Sequence, residues 1–469
     1  MVSFSSLDYI IILLFFSIVI FLGFLPKWKN NNAANYLLSN RSVGLFLFVL
    51  TNVATWYGGI LGVGEFTFNY GLLSWVTQGL PYYIFAILFA FLFAGKIRKA
   101  SLFTIPDKLE EVYGRRVGLF SSLLVFILVS PAPYLLMIAS LLNLIFGINI
   151  LLSLFIGIFV SSIYLFRGGY RANIFTDAFQ FFVMFIGFII IVYASSTMLG
   201  GFEYLETNLP EEHLTVSGGA SPIFMLVWFL IALWTFADPG FHQRCYSAKS
   251  ENVAKYGIII SVFFWMLFDF LTTTTGLYAR ALIPNLENAV LSFPLLAEAI
   301  LGSGAKGLFY AALFATILST LNSFLFLSAT TFGRDFVFKI KMDDNDDNLV
   351  KYTRIGIVVA ALISILLAYQ FSSVVEIWYT IGSVIIPGIV LLVISAYTES
   401  LRISNKYALI ESLLAVFSSL IWLFIRPYFI DNKILSELEP MIVGMLVALV
   451  IHLLGLLKRN KKSLPFGRL

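Results

Sequence analysis

About thirteen apolar runs, most of them near twenty residues or longer, follow one another along this 469-residue chain. Hydrocarbon offers the backbone no hydrogen-bond partner, so runs of this length cross a bilayer as helices that satisfy their own N–H and C=O groups. They fall near 7–25, 44–70, 72–94, 117–146, 150–166, 173–199, 221–243, 253–281, 305–332, 350–371, 373–397, 407–425 and 439–457. The runs are continuous rather than alternating, which excludes a membrane β-barrel. An all-α polytopic membrane protein is expected. The N-terminal run has no basic leader and is followed by Pro26 and Lys27, so it reads as a retained helix rather than a cleaved signal.

Charge placement orients the spans. If the N-terminus is outside, the inner loops and the C-terminal tail hold 26 of the 30 basic residues, leaving only Arg280, Lys306, Arg426 and Lys433 outside. That bias predicts N-outside, C-cytoplasmic, with an odd number of spans. The net charge of +4 is therefore a topology signal, with no nucleic-acid footprint. One cysteine, Cys245, rules out an intrachain disulfide, and His213, His242 and His452 match no metal-binding spacing. The run Asp343 to Asn348 reads as a solvated linker.

Two spans carry the marks of a break. Thr51 to Phe66 contains Gly58, Gly59, Gly62 and Gly64, and glycine costs about 1 kcal/mol against alanine in a helix interior. Opened backbone is tolerated in a membrane only where protein or a polar cavity satisfies it, so this stretch reads either as a broken helix or as a close helix crossing. In the seventh span, Asp238 precedes Pro239 and Gly240; proline removes a donor and crowds the preceding turn. Interrupted helices five spans apart point to a transporter built from inverted repeats, here helices 2–6 and 7–11. A kink at a helix end is the plainer reading of Pro239.

Charged groups inside spans are candidates for function. Asp177 is one, although it could simply pair with Arg171 or cap its helix. The ninth span adds Ser319, Asn322 and Ser323 on one helical face, with Thr316 and Thr320 beside it. Hydroxyls and free carbonyls suit sodium, while serine and threonine also serve helix packing.

Taken in order, these stretches resemble the sodium/solute symporter family. The resemblance rests on Ser319-Thr320-Leu321 with Arg334-Asp335, on Gly168-Gly169-Tyr170-Arg171-Ala172 followed by Thr176, Asp177 and Gln180, on Pro239 with Arg244 and Ala248-Lys249, and on Gly276-Leu277-Tyr278-Ala279-Arg280. It runs from about 40 to 400 and implies the five-plus-five inverted-repeat fold with broken helices 2 and 7. Residues 1–43 would form an extra helix and inner loop, 44–200 the first repeat, 201–400 an outer loop and the second repeat, and 401–469 two further helices and a basic tail.

The same resemblance implies function. It suggests a sodium-coupled importer of a small organic solute in the cell membrane, with sodium as coupling ion, the bilayer as surroundings, no enzymatic activity and no obligate protein partner. Its primary sodium site maps to carbonyls of Ala54, Tyr57 and Thr316 and hydroxyls of Ser319 and Thr320. Counting from Gly62 and Gly71 would instead give Asn52 and Thr55 on the second helix. A second sodium site found in some members maps to Asp177, Ser319, Asn322 and Ser323. Solute candidates are Gln78, Trp234, Asp238 and Tyr379, with Trp378 as an alternative on the eleventh helix, and no buried Arg or Lys is expected to clamp a carboxylate. Proton coupling through Asp177, or a membrane sensor on the same fold, are the competing readings.

Overall fold

A computed structural model describes residues 2–26, 32–343, 345–371, 374–429, 431–432, 435–436 and 438–459, leaving aside the side chains of 375, 376, 378 and 379. Among the described residues the secondary structure is helical, with one isolated parallel bridge between Val43 and Ala248. Ten helices are long and apolar enough to cross a membrane, and four shorter apolar ones run Leu45–Ala54, Ile150–Ser162, Ala289–Ile300 and Thr380–Ala396. Side-chain caps start many of them. Ser5 and Asp8 form a reciprocal capping box at Ser6–Phe24, and Asn149, Ser221 and Ser250 each accept a backbone N–H at the start of their helices.

One helix lies at the centre. Ala305–Thr330 is buried along almost its whole length, whereas Ser6–Phe24 and Asn405–Ile425 turn most of their surface outward. The long helix Leu165–Leu199 packs against it most extensively. Small residues permit the approach: a Cβ added at Gly187 would lie 2.3 Å from the Cβ of Ala312. Near its start Leu165–Leu199 turns at Gly169, whose φ of 53° and ψ of −146° suit only glycine. A Cβ there would come 2.4 Å from the Tyr36 ring. Gly169→Ala should therefore cost about 2–4 kcal/mol of stability. Thermal unfolding of the purified protein checks this, and an unchanged Tm would refute it.

Both expected breaks are present. Leu45–Ala54 stops, residues 55–59 are not α-helical, and helix resumes as Ile60–Tyr70. The interruption starts ahead of the glycines, and Gly62 and Gly64 lie within restored helix. In the seventh span Pro222–Ile231 tightens into a 3-10 turn over Ala232–Ala237. Asp238 is then extended (φ −68°, ψ 114°), and Pro239–Ser247 restarts with its proline at the first helical position.

Candidate functional site

The first break exposes carbonyls to the central helix. No backbone N–H among the described residues reaches the oxygens of Ala54 or Thr55, because the next turn of helix is missing. Hydroxyls of the central helix reach them instead. Ser319 Oγ donates to Ala54 O at 2.7 Å and lies 2.9 Å from Thr316 O. Thr320 Oγ1 donates to Thr55 O at 2.9 Å. Gly58 makes this closeness possible, since a Cβ on it would lie 2.3 Å from Thr320 Cβ. Five oxygens, from Ala54, Thr55, Thr316, Ser319 and Thr320, thus meet at one crossing. All are uncharged and hard, the type that suits a small monovalent cation.

Tyr57 stands in the break too, and its hydroxyl donates to Trp265 O at 2.8 Å. No hydroxyl of the central helix bonds its carbonyl; Thr320 bonds that of Thr55. Asn52 stays within Leu45–Ala54, with its Nδ2 buried and unpartnered.

Asp177 anchors a neighbouring polar cluster. It lies inside Leu165–Leu199 beyond the Gly169 turn and is fully buried. Its Oδ2 accepts from the Thr51 hydroxyl and from Asn173 Nδ2 at 3.2 Å, and Oδ1 has no partner. Asn173 Nδ2 also donates to Ser323 Oγ at 2.7 Å. Arg171 is not the partner of Asp177: it lies over the Phe175 ring. Asn322 Nδ2 donates to the Tyr164 hydroxyl, leaving its Oδ1 unpartnered. The cluster brings Ser323 to the Asp177 network, while Ser319 is engaged at the Ala54 crossing.

One expectation is overturned here. Arg244 is a buried arginine, 3% exposed, although the charge map had assigned it to an inner loop. It belongs to the restarted helix Pro239–Ser247, which is buried against Leu45–Ala54 and the central helix. Its Nη1 donates to Gly240 O at 3.0 Å. Its Nη2 donates to the Thr55 hydroxyl, to Thr51 O at 3.3 Å and to Ser323 Oγ at 3.5 Å. A short restarted helix carries a residue near the end of a span back into the interior. The sequence signal was the break itself.

On the other side of the first break lies an aromatic cluster. Trp56 stacks on Trp265 at 4.6 Å and on Phe241 at 5.5 Å, with Tyr82 edge-on at 5.2 Å. One turn beyond Trp265, Asp269 accepts from the Tyr83 hydroxyl, which in turn takes Trp75 Nε1 at 3.2 Å. Asp238 is buried beside this group and caps Pro239–Ser247 by accepting from Phe241 N at 2.8 Å. Gln78 and Trp234 are half-buried, and no hydrogen bond or ring contact among the described residues joins them to Asp238. The side chain of Tyr379, like that of Trp378, lies outside the described residues. Asp269 was missed by sequence reasoning, although a lone carboxylate in the middle of the eighth span is a direct signal.

Ion pairs tie one end of the bundle. The Ile105–Tyr113 helix presents Asp107 to Arg334 at 2.6 Å and to Lys339 at 2.8 Å, and Glu110 to Lys339 at 2.5 Å. Burial pushes the Asp107 carboxyl up, but the Arg334 guanidinium and Lys339 ammonium outweigh it and hold it well below the usual carboxylate range. A depressed carboxyl contributes stability above its ordinary pKa and loses it as pH falls toward the depressed value. This end should therefore stay tied from pH 5 to 8. Nearby, Arg41 donates to carbonyls of Ser101, Leu102 and Tyr246, and the Tyr246 and Tyr397 hydroxyls lie 2.6 Å apart. At the other end His213 packs on Ile60–Tyr70 with its Nε2 3.0 Å from Phe68 O, and Leu72 N donates to His213 O at 2.8 Å.

Two broken helices thus pack around a buried core helix, with uncharged oxygens gathered where the first break crosses it. Residues 36–410 match the model of the sodium:solute symporter family, and the chain belongs to that family. Sodium/proline symporter 2 of Staphylococcus saprophyticus is 23% identical, covering 94% of this chain and 91% of that protein. High-affinity choline transporter 1 of Caenorhabditis elegans is 24% identical over 73% of this chain and 63% of its own. Among solved structures, a Na+-coupled sialic acid symporter superposes with a TM-score of 0.82 at 17% identity, covering 97% of this chain and 98% of that one. The fold also matches MhsT, with a TM-score of 0.58. The chain is thus an integral membrane protein that couples solute transport to sodium.

Proposed function

We propose that the chain imports a small organic solute by alternating access, using sodium bound where the first break meets the central helix. The observation that carries this is the pairing of Ser319 with Ala54 O and of Thr320 with Thr55 O. Sodium there would be held by Ala54, Thr55, Thr316, Ser319 and Thr320, with Tyr57 closing the break beside it. It would tie the two repeats in one arrangement. Solute favouring the same arrangement raises sodium affinity by the factor by which sodium raises its own. One inward sodium supplies about 2.3 kcal/mol per 100 mV, and about 1.4 kcal/mol more for a tenfold gradient.

This reading takes thirteen spans: the ten long apolar helices among the described residues, the broken pair Leu45–Ala54 and Ile60–Tyr70 counted as one, Ile150–Ser162 and Thr380–Ala396. Residues 44–200 and 201–400 would hold the inverted repeats. The basic-residue bias supports an orientation with the N-terminus outside and the Asp107 end facing the cytoplasm, and family membership supports the cell membrane as its place. Solute would bind between the breaks, among Trp56, Tyr82, Phe241 and Trp265 with Asp238 and Asp269. Aromatic faces and carboxylates suit a solute bearing an amine or ammonium group.

Proteoliposomes loaded with a sodium gradient test this. Uptake of amine-bearing solutes should require external sodium and exceed uptake of neutral or carboxylate-only analogues. Uptake that persists without sodium and collapses with the pH gradient would transfer the coupling role to protons.

A further inference from the structure

We infer that the chain carries a site for the headgroup of an anionic phospholipid, in a groove between the third and eighth spans at the Asp107 end of the bundle. The inference needs only that the chain spans a membrane, and it stands apart from the coupling ion. The groove has a volume of about 360 Å³ and lies between the end of Leu73–Ala100 and the start of Glu251–Leu282. That is within the range of small-ligand sites. Lys96, Lys99 and Lys255 line it against a single carboxylate, Glu251. The surplus of positive charge suits a phosphodiester.

The sequence sets these lysines at headgroup depth. Phe91 and Leu92, 60% and 51% exposed, face outward just before Lys96 and Lys99, and Tyr256 and Phe263 do so just after Lys255. Acyl chains can lie along those apolar side chains while the ammonium groups meet the phosphate. Local geometry opens the space. Ala90–Ala94 forms a π-helical turn, wider than the α-helix on either side, and Gly95 follows it on the groove wall. Beyond its own helix, a Cβ on Gly95 would meet only Glu251, with Oε2 at 3.6 Å. Packing therefore does not require glycine there, and the missing side chain leaves the groove open.

Lysines at a helix end often do no more than orient a span. Their partners set these apart. At the same end Lys108, Arg334 and Lys339 pair with carboxylates, and Arg41 and Arg98 donate to carbonyls. Lys96 donates to Tyr397 O at 3.2 Å. Lys99 and Lys255 take part in no ion pair or hydrogen bond among the described residues, although Glu251 stands one helical turn from Lys255. Lys255 Nζ instead lies across the groove, 4.3 Å from the centre of the Phe91 ring, with its donors free for a ligand. The groove runs into exposed apolar surface, so a lipid fits it better than a soluble anion. Gly95–Ala100 also packs on Pro239–Ser247, which places the site one helix from the second break.

Thermal unfolding of the purified full-length protein in neutral detergent and low-salt, sodium-free buffer tests the assignment. The probes are phosphatidylglycerol, phosphatidylcholine and free glycerol phosphate. Wild type should reach half-maximal stabilisation at about thirtyfold less phosphatidylglycerol than phosphatidylcholine, and glycerol phosphate should not stabilise it. Lys99→Gln combined with Lys255→Gln should bring the two lipids within about threefold of each other. Gly95→Leu fills the groove without changing charge and should cut the preference by about tenfold. Lys351→Gln combined with Lys406→Gln removes the same charge from exposed positions outside the groove and should keep the preference. Equal response of wild type to the two lipids overturns the site, and so does stabilisation by glycerol phosphate equal to that by phosphatidylglycerol. An unchanged preference in the Lys99 and Lys255 variant, or an equal loss in both lysine pairs, overturns it too. If Gly95→Leu does not fold, the comparison of the two lysine pairs decides.

Discussion

Alanine at position 58 should raise the sodium concentration for half-maximal binding by at least about tenfold, without preventing insertion in the membrane. The added Cβ would fall 2.3 Å from Thr320 Cβ and 2.4 Å from Thr320 Oγ1, and real carbon atoms do not approach so closely. Thr320 belongs to a helix buried on nearly all sides, so the first break has to retreat. Retreat separates Ala54 O and Thr55 O from the hydroxyls of Ser319 and Thr320, which now lie 2.7 and 2.9 Å away. Overpacking of this kind costs about 1–3 kcal/mol, and it falls mainly on the arrangement in which the two helices touch. Glycine is needed for the crossing. Titrating sodium against thermal stability compares the two proteins, and an unshifted curve for Gly58→Ala would show that this contact is not needed for the ion.

Asp107→Asn should untie the end of the bundle assigned to the cytoplasm and speed thiol labelling of Cys245 by about tenfold or more. Asp107 holds both Arg334 and Lys339, and Arg334 and Asp107 are largely shielded from water. Removing one member of such a network leaves buried charge uncompensated, at a cost of about 3–5 kcal/mol. The cost is relieved if Ile105–Tyr113 separates from the Arg334 segment and water enters. Cys245 is the chain's single cysteine and is fully buried just behind this end. Maleimide labelling in membranes therefore reports opening with no added mutation. Sodium should slow the labelling of wild type. A rate unchanged by Asp107→Asn would mean that other contacts, such as those of Arg41, hold this end closed.

Much of this architecture is legible in the chain itself. Run length and continuity dictate spanning helices, and glycine and proline placement dictates where two of them fail. The face shared by Ser319, Asn322 and Ser323 follows from helical geometry, though not its neighbours. Which carbonyl meets which hydroxyl depends on the backbone path through residues 55–59, where no periodicity constrains the chain. Hence Thr55 stands opposite Thr320 while Tyr57 turns its hydroxyl toward Trp265. Arg244 was hidden for a similar reason. Its distance from the end of a hydrophobic run placed it in a loop, and only the restarted helix Pro239–Ser247 brings it inside. Asp269 had no such excuse, since an isolated carboxylate amid apolar residues marks itself. The aromatic cluster was hidden by abundance: with 17% of the chain aromatic, single rings carry no signal.

The central claim is that sodium joins the first break to the central helix through the Ser319 hydroxyl. Its most direct test is the sodium dependence of thermal stabilisation for purified wild type and Ser319→Ala, with potassium chloride keeping ionic strength constant. Wild type should show saturable stabilisation by sodium, growing as RT ln(1 + [Na+]/Kd). Ser319→Ala loses one ligand oxygen and should need at least about tenfold more sodium for the same shift. Superimposable curves for the two proteins would contradict it.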